Sequence, residues 1–196
     1  MSKKLQTYMQ KHINMDEREL ELLNTKFKYA TFKKGEIISK VGDIHDRVYF
    51  VNSGLARSYL INAEGKDFTW SIYFNDENSD VINLFIVDYD SFITKKPSSL
   101  EIEALEDIEA LYLTYEDMDF LHAQSPKILL FSKIMAELAY TYLHHRVLDS
   151  QTKSAKERFE KFMKTTPHLL EKVPQYHIAS YLGITSIHFS RLKKEL

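Results

Sequence analysis

Three basic side chains near the end of the chain, Arg191, Lys193 and Lys194, have the types and spacing best suited to binding chemistry. A guanidinium group can meet a base edge with two hydrogen bonds, whereas an ammonium group binds a phosphate as a point charge. Thr185 and Ser186 precede them, at the position where a hydroxyl caps a helix by accepting a free backbone N–H. These groups suit phosphates and base edges, provided that one helix presents them together.

The surrounding sequence predicts two short helices joined by a tight turn. Gly183 suits the positive φ of that turn, and Pro174 suits the first turn of the first helix. Residues 173–196 thus fit a DNA-binding helix-turn-helix, and the alternative is an ordinary helical hairpin that closes a core. The apolar faces expected on the two helices are Ile178, Tyr181 and Leu182, then Ile184, Ile187, Phe189 and Leu192. The predicted DNA contacts are Thr185, Ser186, His188, Arg191, Lys193 and Lys194.

The charge distribution agrees with a basic terminal segment. The net charge of −2 combines a balance of −7 over residues 1–149 with a balance of +5 over residues 150–196. An acidic body with a basic end fits nucleic-acid binding, and it also fits a plain solvated tail.

The composition excludes several classes of site. None of the 196 residues is cysteine, which rules out disulfides, thiolate zinc sites, cysteine nucleophiles and iron–sulfur clusters. The N-terminal residues lack the apolar region of a signal peptide, and no segment approaches membrane-spanning length. We therefore expect a cytoplasmic protein with no membrane partner.

Residues 27–114 have the texture of a small β domain. Short strands between regularly spaced glycines indicate an antiparallel sandwich, barrel or roll. A helix over residues 3–25, interrupted at residues 14–16, is expected to precede them. The predicted strands are residues 36–40, 47–51, 55–61, 67–74, 100–104 and 109–114.

A long helix is predicted over residues 127–149, beginning after Ser125 with Pro126 in its first turn. Its apolar stripe follows heptad-like spacing and is too wide for a small β domain to cover alone. We therefore expect a homodimer in which a second copy covers part of it, and the alternative is a helix packed wholly inside its own domain. The predicted dimer contacts are Ile128, Phe131, Met135, Leu138 and Tyr142.

The order of these parts resembles the Crp/Fnr superfamily of bacterial transcription regulators, from about Phe27 to Leu196. The resemblance rests on the pattern FKKGEIISKVGDIHDRVYFVNSGLARSYLINAEGKDFTW, then the long helix, then the helix-turn-helix. It implies an α+β fold with an antiparallel double-stranded β-helix, or jelly roll, followed by a dimerisation helix and a winged-helix-like domain. The implied domains are residues 1–125, 126–149 and 150–196. The implied partners are double-stranded DNA and, further, RNA polymerase.

The phosphate-binding cassette of the members that bind cyclic AMP is altered here. Those members carry Gly-Glu and, further on, Arg-Ser, whose arginine pairs with the cyclic phosphate. Val87-Asp88 and Ser98-Ser99 stand at these positions, so cyclic-AMP binding is disfavoured. Lys95, Lys96 or Arg57 would have to supply the missing charge. An effector pocket for an unknown small molecule is expected at Tyr73, Tyr89, Phe92, Ser98 and Ser99.

Neither a metal nor a cofactor is expected. His45 is the single histidine between residues 13 and 121, whereas a metal centre in a roll needs several converging ligands. The adjacent His144 and His145 do not face each other on a helix. We therefore do not expect an enzyme.

The helix-turn-helix also departs from the resembled family. Its members often have Arg and Glu where Ser186 and Ile187 stand, so a different operator sequence is expected. The β-hairpin wing is expected to be absent or truncated, because the sequence ends at Leu196. The leading hypothesis is a dimeric DNA-binding transcription regulator. The alternative is a ligand-binding or protein-interaction module with a degenerate helix-turn-helix that does not bind DNA.

Overall fold

The computed structural model describes residues 1–195, which form an α+β fold. Two four-stranded antiparallel sheets share one core, with strand orders β1-β8-β3-β6 and β2-β7-β4-β5. This arrangement, beside one long helix, confirms the predicted α+β fold with its antiparallel β domain. The strands are β1 (Lys28–Phe32), β2 (Ile37–Ser39), β3 (Arg47–Ser53), β4 (Ala56–Ile61), β5 (Asp67–Tyr73), β6 (Phe85–Ile86), β7 (Glu101–Ala104) and β8 (Ile108–Thr114).

Strand β1 was not predicted, because the first strand expected from the sequence begins at residue 36. Strand β1 lies at the edge of its sheet and pairs with β8 alone. Lys28, Tyr29 and Thr31 are exposed on it, and only Ala30 and Phe32 turn partly inward. An edge strand of this kind has a weak apolar pattern, so its pairing partner determines its position.

The helices begin at capping side chains that explain their boundaries. Asp16 and Glu19 form a capping box that starts a new helix after the break at residues 14–16. Ser125 caps the long helix, and Pro126 is its first residue. The helices are α1 (Lys3–Gln10), α2 (Glu17–Lys26), α3 (Val81–Leu84), α4 (Tyr89–Thr94), α5 (Tyr115–Gln124), α6 (Pro126–Thr152), α7 (Ala155–Thr165), α8 (Leu169–Lys172), α9 (Gln175–Tyr181) and α10 (Ser186–Lys194).

Three apolar cores join these elements. One fills the space between the two sheets, and a second lies between one sheet and helices α1, α2, α5 and α6. The third combines helices α7–α10 with Leu55, Ile72 and Phe74 of the β domain. The C-terminal helices are therefore packed on the β domain through a shared core.

Candidate DNA-binding surface and effector cavity

The turn between α9 and α10 has the geometry that its sequence predicts. Gly183 has a φ of +68°, in the left-handed region that favours glycine. The hydroxyl of Thr185 accepts the backbone N–H of His188 at 3.2 Å and so caps α10. Phe189 and Leu192 are buried under the helix, which orients its opposite side toward solvent.

All six predicted DNA contacts on α10 and its cap are exposed. They are Thr185, Ser186, His188, Arg191, Lys193 and Lys194. Lys193 lies about 160° around the helix from Arg191 rather than on the same face. Arg191 and Lys194 lie one turn apart, on the side opposite Phe189 and Leu192. Among residues 1–195, the carboxylate of Glu195 lies within ion-pair distance of Lys156, at 3.9 Å, and Arg191 forms no ion pair.

Ile187 differs from the expectation. Ile187 was predicted to lie on the apolar face of α10, yet its side chain is 70% exposed. Its spacing of four and seven residues from Arg191 and Lys194 puts it on their stripe of the helix. This spacing is the sequence signal from which the exposure of Ile187 could have been predicted. An exposed aliphatic side chain at this place can contact the methyl group of thymine.

Helix α9 holds the helix-turn-helix against the edge of the β domain. The hydroxyl of Ser180 accepts the backbone N–H of Thr69 at 2.8 Å and donates to the carbonyl of Asp67 at 2.9 Å. One residue further, the hydroxyls of Tyr181 and Tyr142 share a hydrogen bond of 3.0 Å. Helix α9 is therefore attached to both the β domain and α6, and the exposed face of α10 stays free of these contacts.

Arg146 of α6 adds a cationic group to the same junction. Its guanidinium carbon lies 4.4 Å from the ring centroid of Tyr181 and 5.3 Å from that of Trp70, and it donates to the carbonyl of Trp70. Cation–π contacts of this kind favour a fixed ring arrangement. Helix α6 is therefore in direct contact with Tyr181 at the end of α9.

The contact between α9 and the β domain also includes a neutral histidine. His177 of α9 is buried, and burial lowers its pKa to about 4, with the nearby cation of Arg57 acting in the same direction. Arg57 is itself buried and paired with Asp67 at 2.7 Å and Glu103 at 2.6 Å. A protonated His177 would place a second cation beside this group, so the neutral form suits the packed state.

The structure closes the altered cassette with internal hydrogen bonds. The hydroxyl of Ser98 donates to the carboxylate of Asp88 at 2.6 Å, and both side chains are buried. The backbone N–H of Asp88 donates to Nδ1 of His45 at 2.8 Å, and burial lowers the pKa of that imidazole. A phosphate at this position would meet a carboxylate and lose these bonds, so it is disfavoured.

The five residues predicted for the effector pocket fall into two groups. Tyr73, Tyr89 and Phe92 line one cavity of about 380 Å³. The hydroxyl of Tyr73 donates to Ser58 at 3.0 Å, and burial raises the pKa of Tyr73 to about 12. Ser98 is turned toward Asp88, and Ser99 is exposed, so neither lines that cavity.

None of the cations considered as substitutes for the cassette arginine lines this cavity. The ammonium group of Lys95 lies 4.0 Å from the ring centroid of Tyr115, and Lys96 is exposed. Arg57 is held by Asp67 and Glu103 on another part of the β domain.

Helix α6 presents a different surface from the predicted one. Ile128 and Phe131 are buried in the core of their own chain, so they have no surface to offer a second copy. Met135 packs on the same core, and Tyr142 faces Tyr181. Of the five predicted dimer contacts, only Leu138 is exposed, at 38%.

A second apolar stripe on α6 faces solvent. Leu130 and Leu148 are about five helical turns apart and point the same way, and the half-buried Ile134 and the exposed Leu138 lie about 40° and about 80° to one side of that line. The heptad-like pattern of the sequence thus covers two stripes. The first packs inward, and the second is the surface available for a partner.

Within residues 1–195, no cluster of three or more His, Asp or Glu side chains has an arrangement that would hold a metal ion. In the same part of the chain, no helix combines the length and apolar character needed to cross a bilayer.

The described residues thus combine two antiparallel sheets that share a core, a long helix and a terminal helix-turn-helix. Residues 29–125 match the family model described as "Cyclic nucleotide-binding domain". A comparison with curated protein sequences finds no match.

Several solved regulators are similar in structure over most of the chain. FixK2 from Bradyrhizobium japonicum has a TM-score of 0.70 at 18% identity, covering 87% of this chain and 84% of FixK2. The Catabolite Activator Protein of Thermus thermophilus has a TM-score of 0.57 at 21% identity, and the match covers 93% of this chain and 84% of that protein. CLP of Xanthomonas campestris, a c-di-GMP responsive global regulator, has a TM-score of 0.66 at 15% identity, covering 92% and 91%. Residues 29–125 therefore resemble a cyclic nucleotide-binding domain, and the chain has the fold of the Crp/Fnr transcription regulators.

Proposed function

We propose that this chain is a dimeric, DNA-binding transcription regulator that acts in the cytoplasm and responds to an effector other than cyclic AMP. The observation that supports DNA binding most strongly is the exposed stripe of Ile187, Arg191 and Lys194 on a capped helix after a tight turn. A basic helix with an exposed N-terminal part is the element that such motifs insert into the major groove.

The alternative is a binding module whose helix-turn-helix no longer grips DNA. Two observations favour the regulator. The contact of α9 with the β domain leaves the α10 stripe exposed, and no carboxylate of residues 1–195 neutralises Arg191. The exposed positive charge of Arg191 on α10, unpaired within the described residues, is what a polyanionic partner such as DNA would bind.

Salt dependence separates the two hypotheses. Three cations in each of two protomers would release counterions from about six phosphates, so affinity for duplex DNA should fall about a thousandfold between about 50 and about 200 mM salt. Fluorescence anisotropy with a labelled random duplex measures this. Absence of binding at the lower salt concentration would favour the degenerate module.

The dimer would form through the solvent-facing stripe of α6. Two copies that pair Leu130, Ile134, Leu138 and Leu148 would remove an exposed apolar surface from water. Such a symmetric dimer would also place two α10 helices on the same side of one duplex.

Cyclic AMP is expected not to bind. The cassette holds a buried carboxylate bonded to Ser98, and Lys95, Lys96 and Arg57 all lie outside the neighbouring cavity. Isothermal calorimetry with millimolar cyclic AMP should give only the heat of dilution. Saturable binding in the micromolar range would mean that Asp88 and Ser98 separate and a cation moves in.

A further inference from the structure

The cavity beside the closed cassette is walled almost entirely by apolar side chains. Helices α1 and α2 contribute Leu5, Met9 and Leu23, and α6 contributes Met135 and Ala139. Its volume of about 380 Å³ lies in the range of small-molecule sites, which is about 300–1,000 Å³. The space is therefore large enough for a ligand and is lined for an apolar one.

The polar groups on the wall are few, and several are already satisfied. Ser132 shares a hydrogen bond of 2.8 Å with His122, and the hydroxyl of Tyr73 is bonded to Ser58. Asp88 is the single charged side chain among the described lining residues, and Ser98 holds it. These partners leave little hydrogen-bonding capacity for a polar ligand.

The sign of the charge decides against an anionic ligand. Lining residues within 1–195 include no lysine, arginine or histidine. A phosphate or carboxylate placed there would be desolvated beside the carboxylate of Asp88, without a cation to offset the cost. A neutral molecule would avoid this cost and gain from the burial of its apolar surface.

The cavity also adjoins α6, so a bound ligand would contact the helix that links the β domain to the helix-turn-helix. Its wall includes Met135, Ala139 and Leu143 of α6, the helix that carries the solvent-facing stripe and the Tyr142 and Arg146 contacts to the helix-turn-helix. A ligand pressing on this wall would act on both. Tyr89 and Tyr140, which are exposed, lie at its border with solvent.

We propose that this cavity is the effector site and that its ligand is a neutral, largely apolar small molecule rather than a nucleotide or another anion. The effect of the ligand on DNA rests on the proposed function, whereas binding itself does not. The test therefore measures binding without DNA, so that its failure is distinct from a failure of DNA binding.

The neutral fluorophore N-phenyl-1-naphthylamine serves as the probe, and decan-1-ol and decanoate serve as competitors of equal chain length. The alcohol should displace the probe at a concentration at least about tenfold below that of decanoate, since only the anion leaves an unpaired charge in the cavity. Equal or stronger displacement by decanoate would overturn the proposal. So would absence of binding by both the probe and the alcohol.

A pair of variants locates the site. Ala139→Trp should fill the cavity and weaken probe binding about tenfold or more, whereas Ala123→Trp, on an exposed position of α5, should leave it unchanged. Unchanged binding in a folded Ala139→Trp protein would place the probe elsewhere and refute the assignment. If Ala139→Trp does not fold, the alcohol–decanoate comparison in the unmodified protein decides.

Discussion

Replacing Leu138 with aspartate is expected to convert the dimer into a monomer. Leu138 is an exposed apolar residue on the solvent-facing stripe of α6, and two-fold symmetry would bring both new carboxylates to one seam. An uncompensated buried charge costs on the order of 3–5 kcal/mol, so the dimer dissociation constant should rise by at least about a hundredfold. Sedimentation velocity over micromolar concentrations measures the change.

Leu129→Asp provides the matched control. Leu129 is also exposed on α6, but it lies about 100° around the helix from the line of Leu130 and Leu148, on the side away from Ile134 and Leu138, and should leave the dimer intact. A protein that is monomeric at micromolar concentration before any substitution would refute the proposed dimer. Equal dissociation by both variants would mean that the seam lies elsewhere on the helix.

The second large effect concerns the reading of DNA. Arg191→Ala should reduce the preference for the cognate operator over random duplex, because Arg191 is the side chain on α10 that can contact a guanine edge with two hydrogen bonds. Such a contact contributes about 1–3 kcal/mol of base discrimination, which corresponds to a loss of about 5- to 150-fold in the affinity ratio. Competition binding at fixed salt measures this ratio.

Lys194→Ala should act differently. Lysine binds a phosphate without selecting sequence, so affinity for all duplexes should fall alike, and the salt slope should decrease by about one. Lys33→Ala removes the same charge from an exposed ion pair of the β domain, in which Lys33 contacts Asp107 at 2.8 Å, and should change neither quantity. Equal losses on cognate and random DNA in the Arg191→Ala protein would assign Arg191 to phosphate contact only.

The helix-turn-helix could be located from sequence because its signals are local. The positive φ of Gly183 and the capping hydroxyl of Thr185 depend on neighbours within a few residues, and both have the predicted geometry. Ile187 was misplaced because apolar spacing alone does not tell an inward residue from an exposed one. Its alignment with Arg191 is visible only when the charged stripe of the helix is compared with the apolar one.

The buried face of helix α6 could not be predicted from the sequence. The helix is apolar on two stripes, and the sequence does not state which one its own domain covers. The packing of α1 and α2 against Ile128 and Phe131 makes that choice, and it depends on contacts more than 100 residues apart in the chain. The same holds for the cassette, where the missing arginine was evident but the bond between Asp88 and Ser98 required the fold.

Selection of binding sites from a pool of random duplexes tests the central claim most directly, because it requires both DNA binding and the dimer. We expect enrichment of a near-palindromic site whose two half-sites are about one helical turn of DNA, or a multiple of it, apart. Arg191→Ala should reduce the base preference within each half-site, and Leu138→Asp should abolish the enrichment of paired half-sites. Recovery of unenriched sequence with the unmodified protein at low salt would contradict the account.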